Sequence, residues 1–183
     1  MKSLVLGFIG KIGSGKSTLA NGTAKALGWR RTGFGDYVRA LAEQQGLPKG
    51  RLSLQDLGES LVNENPVEFC RAVLAQADWE QGKSLVVDGI RHTVIVTTLR
   101  ETVAPSELLL VYVSVEDSLR EARVQERDGE GNLSLDLLDS HSTESEVETV
   151  LSRMADLIVD GNSLPEVLVP EIVSWVRYMA NDP

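Results

Sequence analysis

The residues with the most specific chemistry in this chain are Gly10-Lys11-Ile12-Gly13-Ser14-Gly15-Lys16-Ser17, which fill every fixed position of a phosphate-binding loop. A phosphate chain needs backbone N–H groups pointing inward at close range. Residues without a Cβ allow that in a tight loop, and Gly10, Gly13 and Gly15 provide it around Ser14. Lys16 adds a compact positive charge for the outer phosphates, the Ser17 hydroxyl is placed to ligate Mg²⁺, and Thr18 follows in the first turn of a helix. The alternative is a glycine-rich turn that happens to contain Lys-Ser. Context favours the phosphate site: residues 3–9 form an apolar run with strand character, and residues 17–27 carry apolar Leu19, Ala20, Ala24 and Leu27 at helical spacing. Strand, glycine loop and helix in that order bring a helix N-terminus onto the anion.

Two carboxylates and several arginines fall where they can act with that loop. Asp88 ends the apolar run Leu85-Val86-Val87, so it is expected at the carboxyl edge of a buried parallel strand, where open sheets bind ligands. A carboxylate there can hold Mg²⁺ or its water opposite Ser17, or it can cap the next helix. Arg91 follows at the same edge and suits a phosphate, the alternative being a solvated loop arginine. Asp36 opens a helical pattern with Arg39 one turn in, and it reads equally as an anion-site acid or as an N-cap. Arg120, Arg123 and Arg127 share one helix face, facing either phosphate or neighbouring acids such as Asp117 and Glu121. From Asp128 to Glu148 there are seven acids and no Lys or Arg, so that stretch is not expected to grip phosphate.

The elements that must position these residues alternate. After the first helix come a short strand over 29–32, three helices over roughly 36–79, of which one is expected to be capped by Ser53, and the strand ending at Asp88. A helix over 92–101, a strand over 107–115, a helix over 117–127, a helix over 143–154, a short strand over 157–159 and a closing helix over 165–179 complete the reading. That order predicts a doubly wound α/β domain. The chain of 183 residues is 42% hydrophobic and 25% charged, the profile of a globular domain. Its net charge of −9 argues against nucleic acid or anionic membrane as partner. No apolar run reaches the roughly 20 residues of a membrane span. The run over 4–9 is too short for a signal-peptide core, so the expected location is the cytoplasm. The single cysteine, Cys70, excludes an internal disulfide and reads as a buried filler.

Taken together, the motifs resemble the nucleoside-monophosphate-kinase group of P-loop kinases, and most of all its adenylate-kinase-related, dephospho-coenzyme-A-kinase-like ATPase branch. Thr32-Gly33-Phe34-Gly35-Asp36-Tyr37-Val38-Arg39 is similar to the Gly-Asp-x-x-Arg segment that opens their acceptor-binding helices. Val87-Asp88-Gly89-Ile90-Arg91 is similar to their Asp-Gly-x-x-Arg segment, with Arg91 one position early. Residues 141–144 are similar to a stretch of phosphomevalonate and phage deoxynucleotide kinases, which widens the range of acceptors.

The resemblance implies a three-layer P-loop NTPase fold, a five-stranded parallel sheet flanked by helices, with an acceptor-binding helical insert over 35–80 and a short lid over 127–142. It implies ATP and Mg²⁺, with Asn162 in the loop that holds the base, Asp36, Arg39 and Arg91 on the acceptor, and Ser17 and Asp88 on the metal. Lys16, Asp36, Asp88, Arg123 and Arg127 form the implied catalytic set, although acids replace the basic residues of such lids. The expected function is transfer of the γ-phosphate of ATP to a small anionic acceptor, a nucleoside monophosphate first. Dephospho-coenzyme A or another small molecule is the alternative acceptor. An NTP-hydrolysing or nucleotide-binding regulatory protein is the rival class. The chain carries no Asn-Lys-x-Asp motif of GTPases, and Gly89 follows Asp88 where an AAA-type motor carries Glu.

Overall fold

The computed structural model describes residues 2–48, 50–128 and 147–181. Five strands form one parallel sheet: β1 (Leu4–Ile9), β2 (Arg30–Gly33), β3 (Leu85–Ile90), β4 (Glu107–Ser114) and β5 (Leu157–Asp160), in the order β2-β3-β1-β4-β5. The central strand β1 is buried at every position, as its unbroken apolar run requires of a strand covered on both faces. Its alternate residues enter two separate cores. Leu4, Leu6 and Phe8 pack against α1 (Lys16–Leu27) and α8 (Pro165–Asn181), whereas Val5 and Ile9 pack on the other face. That second face is covered by α2 (Phe34–Gln44), α3 (Arg51–Glu64), α4 (Pro66–Ala75) and α5 (Thr93–Val103). Helix α6 (Asp117–Asp128) follows β4, and a π-helical turn (Val147–Leu151) with the short α7 (Ser152–Met154) precedes β5. The predicted α/β architecture is therefore the observed one, with strand order reversing at β1.

The helix starts differ from expectation in two places. Helix α3 begins at Arg51 behind Gly50, so Ser53 lies inside it and is not its cap. Helix α2 begins at Phe34 with Gly33 as N-cap and no side-chain cap bond, so Asp36 stands within the first turn and is no N-cap either. The cap reading fails because the chain turns helical two residues early, directly out of β2. The helix expected over 143–154 is described only from 147 and starts as a π turn, and the expected lid beyond α6 lies outside the described residues. Cys70 is the buried filler that the sequence suggested, and burial pushes its thiol up to about 12, so it stays protonated at neutral pH. No described helix is long and apolar enough to cross a membrane.

Sheet register sets the site. Strand β3 continues past Asp88 to Ile90, and its pairing with β1 skips from Phe8↔Asp88 to Ile9↔Ile90, a bulge at Gly89. On the opposite side Gly33 pairs with Asp88, so Asp88 stands between the ends of β1 and β2, next to the start of α2. Strand alternation puts Asp88 on the same face as Val86 and Phe8, the face that α1 covers.

Candidate active site

The loop between β1 and α1 is shaped by backbone conformations that a side chain would resist. Gly13 has φ +81, and a Cβ there would stand 2.8 Å from the Arg120 carbonyl oxygen; Gly15 has φ +84 and is the left-handed N-cap of α1. Helix α6 grips the loop from outside. Arg120, 1% exposed, donates from Nε to the Ile12 carbonyl at 2.9 Å and from Nη1 to Asp117 at 2.5 Å. Arg123 donates from Nη1 to the Ser14 carbonyl at 3.3 Å and from Nη2 to the Gly161 carbonyl at 3.0 Å, joining the loop to the turn after β5. Of the two readings of this arginine face, Arg120 therefore takes the acid-paired one and props the loop, while Arg123 remains beside it. Nothing is described of the Arg127 side chain.

Two cavities flank the N-terminus of α1. The smaller, about 450 Å³, lies between α1, α6 and the turn before α8. The expected nucleotide residues Gly13, Ser14, Gly15, Lys16, Ser17 and Thr18 all line it, together with Arg123, Gly161 and Ser163. Gly10 and Asn162 do not line it. The Asn162 side chain instead accepts from the Glu116 backbone N–H at 3.3 Å and donates to Asp160 at 2.8 Å, which fixes the turn. The larger cavity, about 930 Å³, opens between the loop, α2, α3 and the end of β3. Asp36, Arg39, Asp88 and Arg91, all picked out in the sequence, border it. Gly13, Lys16 and Ser17 line both cavities. Lys16 is buried and donates to the Lys11 carbonyl at 3.2 Å.

The larger cavity is organised by a residue that the sequence did not single out. Arg31 on β2 donates from Nη1 to Asp36 Oδ2 at 2.7 Å and from Nη2 to Asp88 Oδ2 at 2.6 Å, and Arg39 donates to Asp36 Oδ1 at 2.5 Å. Arg31 pairs in register with Val86, so Asp88, two positions on, is its diagonal neighbour on the same face. Burial alone would weaken the Arg31 charge, but Asp88 and Asp36 outweigh it and its pKa is raised. Asp88 is nearly buried, as the apolar run predicted, and its cation is supplied by this chain. Only one of its oxygens is engaged: Oδ1 is shut off from solvent without a hydrogen-bond partner among the described residues. Arg31 lies on an edge strand beside the exposed Arg30, so nothing in the local sequence sets it apart.

This architecture and loop agree with what the chain resembles as a whole. A sequence model of the AAA domain matches residues 6–153. The chain belongs to the AAA-domain family. It is also similar to UPF0200 proteins from two strains of Halobacterium salinarum, each 33% identical over 143 residues that cover 74% of this chain and 72% of theirs. Among solved structures it is similar in fold to a gluconokinase from Sinorhizobium meliloti, with TM-score 0.63 and 18% identity over 98% of this chain and 94% of that one. It is similar likewise to an APS kinase from Mycobacterium tuberculosis solved with AMPPNP and APS, with TM-score 0.61 and 17% identity over 96% and 98% of the two chains. This AAA-domain chain thus has the fold of P-loop kinases. Among its described residues no group of three or more His, Cys, Asp or Glu is placed to hold a metal ion.

Proposed function

We propose that this AAA-domain protein is an ATP-dependent phosphotransferase that passes the γ-phosphate of ATP to a small anionic acceptor, a nucleoside or deoxynucleoside monophosphate. The observation that carries the reading is that Lys16 and Ser17 belong to two cavities at once. A hydrolase needs room for one nucleotide and a water, and a binding module needs room for one nucleotide. A second, larger chamber that meets the first at the phosphate loop is what a two-substrate transfer requires. The names of the two solved neighbours point to the same type of reaction.

In this reading ATP lies in the smaller cavity with its phosphates in the loop. The Ile12 and Ser14 carbonyls are turned to Arg120 and Arg123, which keeps their negative dipole ends engaged away from the anion. The γ-phosphate reaches Lys16 and Ser17, with Arg123 beside the phosphate chain. The acceptor occupies the larger cavity, its phosphate held by Arg39 and Arg91. An acceptor phosphate oxygen attacks the γ-phosphorus. That P–O bond forms as the bond to the β,γ-bridging oxygen breaks and ADP leaves, with the developing charge met by Lys16 and the α1 N-terminus. Mg²⁺, when bound, supplies further neutralisation of the phosphate oxygens. The residues present fit it: the Ser17 hydroxyl and the buried, half-engaged carboxylate of Asp88 are the sparse donor set that Mg²⁺ accepts when phosphates and water complete its shell. Release of ADP on adding a nucleoside monophosphate, with the phosphorylated product identified by mass, is the test. Equal release without any acceptor would make the protein a hydrolase, and tight ATP binding without release would make it a module.

The role of Asp36 separates phosphate acceptors from alcohols. A phosphate monoester is already anionic near neutral pH and needs no strong base, whereas a hydroxyl must lose its proton during attack. Both Asp36 oxygens accept from guanidinium groups, which suits a residue that orients Arg39 and Arg31 better than one that takes a proton. Asp36→Asn is therefore expected to lower turnover less than about tenfold, since a missing general base costs about 10²- to 10⁴-fold. A loss on that larger scale, measured at saturating substrates, would point instead to a hydroxyl acceptor such as dephospho-coenzyme A.

A further inference from the structure

Four charged side chains from three elements form a chain of alternating sign that runs from the end of β3 into the larger cavity. Asp88 Oδ2 accepts from Arg31 Nη2 at 2.6 Å, Arg31 Nη1 donates to Asp36 Oδ2 at 2.7 Å, and Asp36 Oδ1 accepts from Arg39 Nη2 at 2.5 Å. Side-chain exposure rises along it from 7% at Asp88 to 60% at Arg39, so one end is closed in at the sheet edge and the other stands open to the cavity. Arg31 is the middle link. Its Nε is buried without a hydrogen-bond partner, so among the described residues its hydrogen bonds go to the two carboxylates alone and they share its charge between them. Both ends of the chain are half used. Asp88 Oδ1 is buried and unpartnered among the described residues, and Arg39 is engaged there only by Asp36.

We infer that Arg31 is a positioning residue that couples the metal end of the site to the acceptor end, so that a cation on Asp88 and an anion on Arg39 each tighten the other. The inference rests on the proposed reaction, with Asp88 on Mg²⁺ and Arg39 on the acceptor phosphate. Charge drawn from Asp88 by a cation at its free oxygen weakens its hold on Arg31, and the guanidinium then gives more of its charge to Asp36. Asp36, better neutralised, holds Arg39 less and leaves it to the incoming phosphate. Read from the other end, the sign is the same: an anion that draws Arg39 from Asp36 leaves Asp36 to Arg31 and Asp88 to the cation, as reciprocity between linked sites requires. Burial at the Asp88 end keeps these charges from being screened by salt. An Arg31 that served only to neutralise Asp88 would give no such coupling.

AMP, GMP, CMP and UMP can be titrated by calorimetry into the full chain saturated with AMPPNP, once with Mg²⁺ and once with EDTA in its place, and the tightest binder then carried to Asp36→Asn and Arg31→Lys. Asparagine keeps the shape of Asp36 without its charge. Lysine keeps a cation beside Asp88 but lacks the fork that bridges two carboxylates. The direct field of Mg²⁺ on the acceptor acts in all three proteins, so the part carried by Arg31 is the difference between their gains. Mg²⁺ should tighten the monophosphate on the native protein about fivefold or more beyond its gain on either variant, the lower end of the range for coupled sites. A residue that only holds the fold would weaken binding by one factor with and without Mg²⁺. An equal gain in the native protein and in either variant therefore overturns the coupling and leaves the acceptor reading standing, whereas absence of binding by all four monophosphates to the native protein sinks that reading and the coupling with it.

Discussion

Lys16→Met is expected to lower turnover by about 10²- to 10³-fold, or roughly 3–4 kcal/mol of transition-state stabilisation, with little change in melting temperature. Lys16 is buried at the junction of the two cavities, where under the proposed reaction its fixed positive charge stands beside the phosphoryl group in transfer. Methionine keeps the apolar stem and removes only the ammonium, so the loop, held from outside by Arg120 and Arg123, should keep its shape. Single-turnover rates at saturating ATP and acceptor give the comparison. A fall of less than about tenfold would remove Lys16 from the chemistry.

The second large effect is expected from Arg31→Met, and it concerns stability as well as rate. Asp88 has a side chain only 7% exposed and one engaged oxygen, so removing the guanidinium leaves a buried carboxylate with no partner. Breaking such a pair from one side costs about 3 kcal/mol or more, which for a chain of this size is a fall of roughly 6–12 °C in melting temperature. Activity should fall too, because Asp36 and Asp88 lose the bridge that fixes both to β2. The double variant Arg31→Met with Asp88→Leu replaces the pair by apolar side chains and should recover most of the stability while activity stays lost. Thermal unfolding of the native protein and the two variants decides the matter. A single Arg31→Met variant that melts with the native protein would show that Asp88 does not depend on this arginine.

The parts of this molecule set by short-range rules could be read directly from the residues. The phosphate loop is one, since the glycines, Lys16 and Ser17 act within a single turn and their backbone needs are local. The apolar run of β1 and the helical spacing of α1 are others, and with the alternation of strands and helices they lead to the parallel α/β sheet. The placing of Asp36, Arg39, Asp88 and Arg91 around one cavity also followed, because the carboxyl edge of a parallel sheet gathers whatever follows its strands. What only the tertiary structure decided is how these groups are paired. Arg31 meets Asp88 because β2 and β3 lie side by side in one register, 57 residues apart in the chain, and a shift by one position would turn the arginine to the other face. Asp36 lost its cap role because β2 runs straight into α2. Arg120 became a prop for the loop because α6 lies against it. Each of these outcomes depends on which distant surfaces come into contact, and periodicity within a segment carries no information about that.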